Sequence, residues 1–281
     1  MKNSPNNVDE SVAAGFGHEW STFQQDEGHF STSDREAMFH SYFRIFPWEI
    51  LPAAAVGLDV GCGSGRWSLL VAPRVGHLHL LDASADALAV AKKNLSRATN
   101  TTFHHASVGE IPLQDASLDF AFSLGVLHHV PDTVSALKEV ASKLKTGAPF
   151  LIYLYYAFDN RPWWFKVVWK LSDVFRAIIC RLPTKLRLVI SQIIAVSVYW
   201  PLARIAALVQ RAGLPTALIP LEAYRNRSFY VMRTDAYDRF CTSLEKRFTR
   251  KQIEQMLLDA GFERIRFSEE VPFWCAVGMK R

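Results

Sequence analysis

The 281-residue chain contains few cysteines, and they are widely separated. Cys62, Cys180, Cys241 and Cys275 form no CxxC motif and no mixed cysteine–histidine spacing. The pattern argues against a zinc ribbon or a small disulfide scaffold and favours a reduced, cytoplasmic protein. No set of carboxylates demands a metal ion either, so the sequence predicts no metal site.

Long apolar runs are also scarce. The first dozen residues, MKNSPNNVDESV, lack the apolar segment of a secretory signal, and we expect them to form a flexible leader. An uncharged run of 16 residues, 188–203, is interrupted by serine, glutamine and proline. Because a membrane-spanning helix needs about 20 apolar residues, a buried helix is predicted there.

Acidic residues are sparse in the second half of the chain. Residues 1–150 hold 11 Lys/Arg and 16 Asp/Glu, a net charge of −5, whereas 151–281 hold 21 and 11, a net charge of +10. This excess indicates either an anionic partner or a basic face that only meets solvent. A phosphorylated substrate, a membrane surface and a nucleic acid are the partners to consider.

From Val56 onward, short apolar runs alternate with amphipathic stretches. Helices are predicted at 84–98, with Ser84 as N-cap, and at 131–147, with Pro131 in the first turn and Gly147 at the C-cap. Strands are predicted at 56–60, 78–82, 101–106, 117–124 and 148–156. Five such alternations indicate an α/β fold with a doubly wound parallel sheet and helices on both faces.

The alternation stops at 157–233, which is aromatic, basic and mostly helical in period, and then resumes. Thr249 is the expected N-cap of a helix that Gly261 ends, and two strands follow, the last one antiparallel. The sheet is therefore mostly parallel with seven strands and has a helical cap inserted after strand five. The predicted divisions are 1–55 (leader and lid helices), 56–156 (cofactor-binding core), 157–248 (cap) and 249–281 (completion of the sheet).

The stretch LDVGCGSGRW follows the first strand and has three glycines within five residues. Such a turn presents backbone N–H groups near a helix N-terminus, as the dinucleotide fingerprint GxGxxG does for a pyrophosphate. Here Gly61, Gly63 and Gly65 place the third glycine one residue early, and Asp59 precedes them. A carboxylate at that position would repel a diphosphate but suits a ligand with an ammonium or sulfonium group.

A second acidic residue ends the second strand. Asp82 lies 17 residues beyond Gly65, where it can accept hydrogen bonds from ribose hydroxyls. Together, LDVGCGSGRW, LHLLDAS, VGEIPLQDASLDFAFSLGVLHHVPD and LKTGAPFLIYLYY resemble successive motifs of class I S-adenosylmethionine-dependent methyltransferases. The similarity is to the small-molecule branch that includes the ubiquinone-type enzymes. It covers about 56–156, returns at 249–281, and implies a Rossmann-like methyltransferase fold with S-adenosylmethionine as cofactor.

The resemblance also implies roles for individual residues. The backbone of Gly61–Gly65 faces the methionine and ribose parts of the cofactor, Asp82 binds the ribose, and Ala83 lies beside the adenine. Where the family often has an acidic residue after strand three, this chain has Ser107, whose oxygen, or the Val108 amide, would replace it. The predicted cofactor-binding residues are Asp59, Gly61, Cys62, Gly63, Gly65, Asp82, Ala83, Ser107, Val108, Leu124 and, in the lid-like segment FGHEWSTF, Trp20.

His128 and His129 follow the fourth strand, at the edge of the sheet where ligands of open α/β folds bind. Imidazole titrates near neutrality, so either residue is a candidate general base, and the alternative is that both rings only pack and bond locally. The loop reads SLGVLHH and lacks the Asn/Asp-Pro-Pro-aromatic stretch in which methyltransferases of nucleic-acid base amines resemble one another. This counts against methylation of nucleic-acid bases and leaves a ribose of tRNA or rRNA open as an acceptor. No nucleic-acid partner is expected.

The inserted cap is where such enzymes usually build acceptor specificity. The candidate acceptor-binding residues are Tyr156, Arg161, Trp163, Arg225 and Arg227. The arginines suit an anionic group because guanidinium forms bidentate contacts with it, and surface ion pairing is the alternative. A basic, aromatic amphipathic helix within 159–183 can lie on a membrane, but a cap whose apolar faces pack on each other or on a second subunit is favoured.

The sequence therefore predicts transfer of a methyl group to a small-molecule acceptor. An oxygen of a polar or anionic compound, such as a sugar derivative or a lipid-linked precursor, is the expected methyl site. A cytoplasmic location, with peripheral membrane contact or a homodimer formed through the cap as further options, accompanies this prediction. The alternatives are an NAD(P)-dependent oxidoreductase and a non-catalytic membrane-associated protein with a degenerate cofactor fold.

Overall fold

The computed structural model describes residues 6–25 and 31–281, which divide into two compact units. The first unit contains the described part of 1–26 together with 35–159 and 244–281. The second contains the described part of 27–34 together with 160–243.

The N-terminal segment is more ordered than its sequence suggests. Residues 1–5 of the expected leader lie outside the described residues. A helix already begins at Glu10, where the Asp9 carboxylate caps it by accepting hydrogen bonds from the backbone N–H groups of Ser11 and Val12. Val12 is buried, so the prediction of a flexible leader is wrong from Asp9 onward.

The regular elements, in chain order, are as follows. The strands are β1 (Val56–Val60), β2 (His77–Asp82), β3 (Thr101–His105), β4 (Phe120–Leu124), β5 (Pro149–Tyr153), β6 (Phe262–Phe267) and β7 (Ala276–Lys280). The α-helices are α1 (Glu10–Thr22), α2 (Thr32–Phe43), α3 (Ser68–Val71), α4 (Ala85–Asn94), α5 (Thr133–Lys143), α6 (Trp163–Ile179), α7 (Thr184–Ile194), α8 (Trp200–Arg211), α9 (Phe229–Cys241) and α10 (Arg250–Asp259). Short 3-10 turns lie at Trp48–Ile50, Ala72–Arg74 and Glu222–Tyr224.

All seven strands form one sheet with the order β3-β2-β1-β4-β5-β7-β6. The first five are parallel, and β7 runs antiparallel to both β5 and β6. This confirms the predicted seven-stranded, mostly parallel α/β sheet. Since the strand order reverses between β1 and β4, the crevice beyond their carboxyl ends is the expected ligand position for this topology.

Local signals determine several helix ends. The Ser84 hydroxyl accepts a hydrogen bond from the Ala87 N–H and caps α4. Thr249 and Gln252 form a reciprocal capping box at the start of α10. Both N-caps are confirmed. The predicted ends of α5 are wrong, because Pro131 precedes the Asp132 N-cap rather than lying in the first turn, and the helix stops four residues before Gly147.

The core of the first unit lies between the sheet and its flanking helices. Every residue of β4 is buried, and apolar side chains of β1, β5 and β6 join α5 and α10 in one cluster. Burial of apolar surface stabilises the folded state by about 25 cal/mol per Å². Because residues near the carboxyl ends of β1 and β2 belong to this cluster, those ends are held in fixed positions. The loops at those ends therefore start from fixed positions.

The second unit is helical, with α9 as a common packing partner. α6 and α7 both contact α9, and Arg176 and Arg187 donate to the carbonyls of Thr242 and Cys241 at its end. A π-helical turn, Ala195–Tyr199, joins α7 to α8, so Thr184–Arg211 is one continuous helix. By length and composition alone this helix could cross a membrane, and only 22% of its most apolar window is buried. The prediction of a buried helix at 188–203 is therefore wrong.

Candidate functional site

The glycine-rich turn is pinned to the neighbouring strand by its backbone. The N–H groups of Gly61 and Cys62 donate to the Leu81 carbonyl at 2.7 and 3.0 Å. Gly61 has a φ of +76°, and a Cβ there would lie 2.3 Å from a methyl carbon of Val126. Both the left-handed conformation and the close approach of Val126 require glycine. The turn is thus packed against the loop that follows β4.

The Asp82 carboxylate, at the end of β2, holds the turn from the other side. One oxygen accepts from the Gly63 N–H at 2.8 Å and the other from the Ser84 N–H at 2.9 Å. Burial raises the pKa of Asp82, and the two backbone hydrogen bonds oppose that change. These bonds fix the orientation of the carboxylate and leave it lone pairs that can accept ribose hydroxyls. Ribose binding by Asp82 stays a prediction.

Asp59, at the end of β1, is 1% exposed. Its carboxylate accepts a hydrogen bond from the Ser68 hydroxyl at 2.6 Å. Burial raises its pKa to about 7, and the nearby Asp82 charge adds to this, whereas the Ser68 bond and Arg66 act in the opposite direction. Near neutral pH this carboxyl is therefore close to half ionised, and a cation placed beside it would favour the charged form.

The lid-like segment lies directly on the glycine turn. A Cβ at Gly63 would be 2.8 Å from the indole Nε1 of Trp20, and the Arg66 guanidinium lies 5.6 Å from the Trp20 ring. The Ser64 hydroxyl donates to the Gln25 side chain at 3.2 Å. The structure thus brings Trp20 together with the predicted cofactor-binding turn.

The remaining predicted cofactor residues occupy the same region of the first unit. Burial raises the pKa of the Cys62 thiol well above its usual value, so this thiol stays protonated. The Ser107 hydroxyl is used internally, since it donates to the Asn6 carbonyl and accepts from the Gly109 N–H. Val108 and Leu124 are buried, and the Ala83 carbonyl lies 3.1 Å from a His105 ring nitrogen.

Both candidate bases are buried in the loop after β4. His128 is 0% exposed, and within the described chain its two ring nitrogens have no hydrogen-bond partner. Burial, followed by His129, Arg247 and Lys246, lowers the pKa of His128 well below 6.5, so its imidazole is neutral at physiological pH. The His129 Nδ1 lies 2.6 Å from the Leu244 carbonyl. In the described residues no group of three or more His, Cys, Asp or Glu is placed to hold a metal ion.

The candidate acceptor residues do not all lie in the same unit. Tyr156 belongs to the first unit, where its ring packs against Phe158 and Phe273. In the second unit Arg161 is engaged internally, with Glu222 at 2.7 Å and the Ala217 carbonyl at 2.6 Å. Trp163 is 75% exposed. The structure therefore shows a bracing role for Arg161 rather than an available cation.

Arg225 and Arg227 line an open cleft of about 500 Å³ in the second unit. Arg225 is partly committed, since it donates to the Gln210 side chain and the Glu222 carbonyl. The complete lining is Arg204, Ala207, Gln210, Arg211, Arg225, Asn226, Arg227 and Ser228. Four arginines and no carboxylate make this cleft suitable for an anion.

Several residues of the site have no local sequence signal. Ser68, Val126 and Gln25 acquire their roles only when the turn meets α3, the loop after β4 and the segment after α1. Arg247 lies 5.1 Å from the Tyr155 ring, which itself stacks on His128 with centroids 3.9 Å apart. Their separation along the chain hides this cluster from pattern reasoning.

Comparison with known proteins agrees with this geometry. A family model described as a methyltransferase domain matches residues 58–152. The chain is 31% identical over 100 residues to the demethylmenaquinone methyltransferase of Bacillus licheniformis, covering 34% of this chain and 43% of that protein. The corresponding enzyme of Staphylococcus aureus is 34% identical over 93 residues, covering 32% and 39%.

The matched segment contains the glycine turn, Asp59, Asp82 and the His128–His129 loop. Residues 58–152 form a class I S-adenosylmethionine-dependent methyltransferase domain. The methyl donor of this domain type is S-adenosylmethionine, as the sequence predicted, and the alternative of a nicotinamide dehydrogenase has no support among these matches.

Similarity to solved structures extends beyond residues 58–152. A SAM-dependent methyltransferase from Methanosarcina mazei superposes with a TM-score of 0.50 at 18% identity, covering 83% of this chain and 95% of that one. At this identity the superposition shows the fold alone. The chain spans less than half the length of the curated relatives named above.

The residues of the methyltransferase domain fit S-adenosylmethionine. The buried Asp59 carboxyl, with a pKa of about 7, suits a cationic ligand, because ligand binding would supply the counter-charge that burial removes. The Gly63 position has no room for a side chain beneath Trp20. Asp82 and the turn backbone would hold the ribose and the amino-acid part.

Proposed function

We propose that this chain transfers the methyl group of S-adenosylmethionine to an oxygen of a small polar or anionic acceptor. One observation supports the proposal above the others. A fully buried carboxyl group, Asp59, lies at the end of β1 next to a glycine turn that a second carboxylate, Asp82, holds in place. That arrangement suits a cationic nucleoside better than a diphosphate.

In methyl transfer the main task of the protein is to position the cofactor and the acceptor. The bound cofactor supplies a methyl group already activated by a sulfonium. The glycine turn, Asp59 and Asp82 fix its orientation, and alignment of this kind contributes on the order of 7–11 kcal/mol in the best intramolecular models. For an O–H acceptor a base must also take up a proton, which adds about 10²–10⁴-fold.

We assign the base role to His128, with His129 as a positioning residue. Two features support this assignment: the imidazole of His128 is neutral, and both of its buried ring nitrogens lack hydrogen-bond partners in the described chain. The Val126 contact with Gly61 places the same loop against the cofactor-binding turn. The Leu244 carbonyl orients the His129 ring.

We expect His128→Asn to lower kcat by about a hundredfold and to leave the affinity for S-adenosylhomocysteine unchanged. Since the pKa of His128 lies well below 6.5, its imidazole is already in the neutral, proton-accepting form at neutral pH. The kcat of the unmodified chain should therefore fall only when the pH is low enough to protonate this ring. His77→Asn, at the start of β2 and therefore at the opposite edge of the sheet from this loop, is the matched control. An unaltered kcat and pH profile in His128→Asn would show that this ring only packs.

We base the proposal of an anionic acceptor on the arginine-lined cleft of the second unit. This cleft, lined by four arginines and no carboxylate, supports binding of an anionic group. Arg227→Gln should raise the KM for an anionic acceptor about tenfold, because a charge-assisted hydrogen bond contributes roughly 1.5–3 kcal/mol. Lys251→Gln, on α10, is the control.

The experiment is a methyl-transfer assay that measures S-adenosylhomocysteine formation with a panel of acceptors. The panel contains sugar phosphates, neutral alcohols and demethylmenaquinone, which appears in the names of the relatives. Turnover confined to anionic hydroxyl compounds supports the proposal. Turnover of demethylmenaquinone alone would refute it. We further propose a cytoplasmic location, which the four free thiols support.

A further inference from the structure

Most of the exposed large apolar side chains of the described chain lie in the second unit. On α6 the exposed apolar residues are Trp163, Val167, Val168, Leu171, Val174, Phe175 and Ile178. At 100° per residue they fall within an arc of about 140°. Outside this arc α6 carries the buried Phe165 and Ile179, and Ser172 there accepts a hydrogen bond from Arg239 of α9. The apolar arc therefore faces away from α9.

The helix Thr184–Arg211 repeats this arrangement. Its exposed apolar residues are Leu186, Val189, Ile193, Val196, Val198, Trp200, Ile205 and Leu208. Between Lys185 and Gln210 the only other exposed residue of this fully described stretch is Ser197. We call these two sets of side chains the exposed apolar surface of the second unit. A contiguous apolar patch along one helix face, such as the arc on α6, marks an interaction site.

The basic residues around this exposed apolar surface indicate the chemistry of its binding partner. Residues 160–213 contain nine basic residues and one acidic residue, Asp173, and Asp173 is paired with Arg176 at 2.6 Å. Lys166 and Lys170 are both exposed and lie one turn apart along one border of the apolar arc of α6. Lys185 and Arg211 are exposed at the two ends of the other apolar stretch. An apolar face bordered by cations matches a bilayer that contains anionic lipid.

We propose that the exposed apolar surface of the second unit binds the surface of an anionic lipid bilayer. Its aliphatic and aromatic side chains enter the boundary between headgroups and acyl chains. The bordering lysines and arginines lie at the level of the lipid phosphates. Trp163 and Trp200, 75% and 49% exposed, are suited to this boundary because their rings are amphipathic.

The helix Thr184–Arg211 lies in the interface in this proposal and does not span the bilayer. Its other side carries polar groups that bond to the rest of the second unit. Arg187 donates to the Cys241 carbonyl and Arg204 to the Arg225 carbonyl, and Ser191 is buried. A spanning helix would surround these groups with hydrocarbon, whereas a helix in the plane of the interface keeps them on the protein side.

A second copy of the chain is a poorer partner for the same surface. A two-fold interface applies one patch to itself, so the cations that border the apolar face would meet their own counterparts. Like charges brought together in this way oppose association. Anionic headgroups neutralise the same cations, and for that reason we commit to the membrane.

The test is co-sedimentation of the full chain with vesicles of phosphatidylcholine, with and without phosphatidylglycerol. We expect binding only to the anionic vesicles and partial release at high salt. The Lys166→Gln/Lys170→Gln double variant should bind roughly fivefold more weakly for each lysine removed, whereas Lys251→Gln on α10 should bind like the parent chain. Brominated lipid should quench tryptophan fluorescence, and Trp163→Phe should reduce that quenching.

Two apolar double variants complete the test, Leu171→Asn/Phe175→Asn on α6 and Ile193→Asn/Val196→Asn on the following helix. Both should lose vesicle binding, whereas Leu258→Asn, an exposed leucine of α10, should not. Unchanged affinity for S-adenosylhomocysteine checks that each variant is folded. Equal binding to neutral and anionic vesicles would overturn the proposal. A dimer that Ile193→Asn/Val196→Asn dissociates, without any vesicle binding, would assign the surface to a second copy instead.

Discussion

Replacing Asp59 by asparagine should weaken S-adenosylmethionine binding by roughly ten- to a hundredfold. A charge-assisted hydrogen bond contributes about 1.5–3 kcal/mol, and asparagine retains the shape of the side chain without its charge. The same substitution should stabilise the ligand-free protein at pH 8. The folded-state pKa of Asp59 is about 7 against a usual value of 3.8, so ionisation opposes folding by an amount on the order of 4 kcal/mol.

The pH dependence of Asp59 has a definite sign. Its pKa is raised by folding, so its contribution favours the folded state below pH 3.8 and is lost as the pH rises through about 7. A cationic ligand prefers the ionised carboxylate, so binding should strengthen between about pH 6 and pH 8 and should release protons near neutrality. The Asp59→Asn variant should lack both effects.

Calorimetric titrations in two buffers of different ionisation enthalpy measure the proton release, and thermal unfolding measures the stability. Asp115→Asn is a suitable control, because Asp115 is an exposed carboxylate paired with Lys143 at 2.7 Å. If Asp59→Asn binds S-adenosylmethionine as tightly as the parent chain, Asp59 is only a buried partner of Ser68.

Replacing Asp82 by alanine should reduce cofactor binding by roughly a hundredfold or more. The substitution removes the acceptor of the Gly63 and Ser84 N–H groups, so the turn loses its anchor as well as a ribose contact. Each hydrogen bond to a charged group contributes about 1.5–3 kcal/mol. Calorimetric titration with S-adenosylhomocysteine measures the loss.

Asp86→Ala is the matched control for Asp82, since Asp86 is an exposed carboxylate in the first turn of α4. It should bind S-adenosylhomocysteine like the parent chain. Asp82→Asn is expected to lie between the parent chain and Asp82→Ala, because its amide oxygen can still accept one backbone N–H. Equal affinities for all of these variants would remove Asp82 from the cofactor site.

The core of the fold could be predicted because each local signal agrees with the next. Apolar runs end at Asp59 and Asp82, a glycine turn and a helix cap follow them, and the parallel sheet brings both carboxyl ends to one edge. That is why the position of the turn and its two carboxylates followed from the sequence. The helix ends at Pro131 and Gly147 did not. Asp132 is a better N-cap than Pro131, and the backbone leaves the helix at Leu144, so Gly147 adopts its left-handed conformation in the turn before β5.

The second unit was harder to predict, because the apolar content of a segment does not determine whether its side chains are buried. The run 188–203 has the apolar content of a core helix. One side of it stays exposed, whereas α9 and the Glu222–Tyr224 turn pack against the other side. Arg161 looked available for an acceptor, but Glu222, 61 residues further along the chain, engages it. Partners so distant in sequence leave no local pattern.

The measurement that tests the account most directly is a calorimetric titration of the unmodified chain with S-adenosylhomocysteine and, in parallel, with NADH. The account predicts one S-adenosylhomocysteine site per chain and no heat from NADH, because Asp59 and the early third glycine of the turn favour a cationic nucleoside over a diphosphate. Binding of NADH, or the failure of S-adenosylhomocysteine to bind, would contradict it.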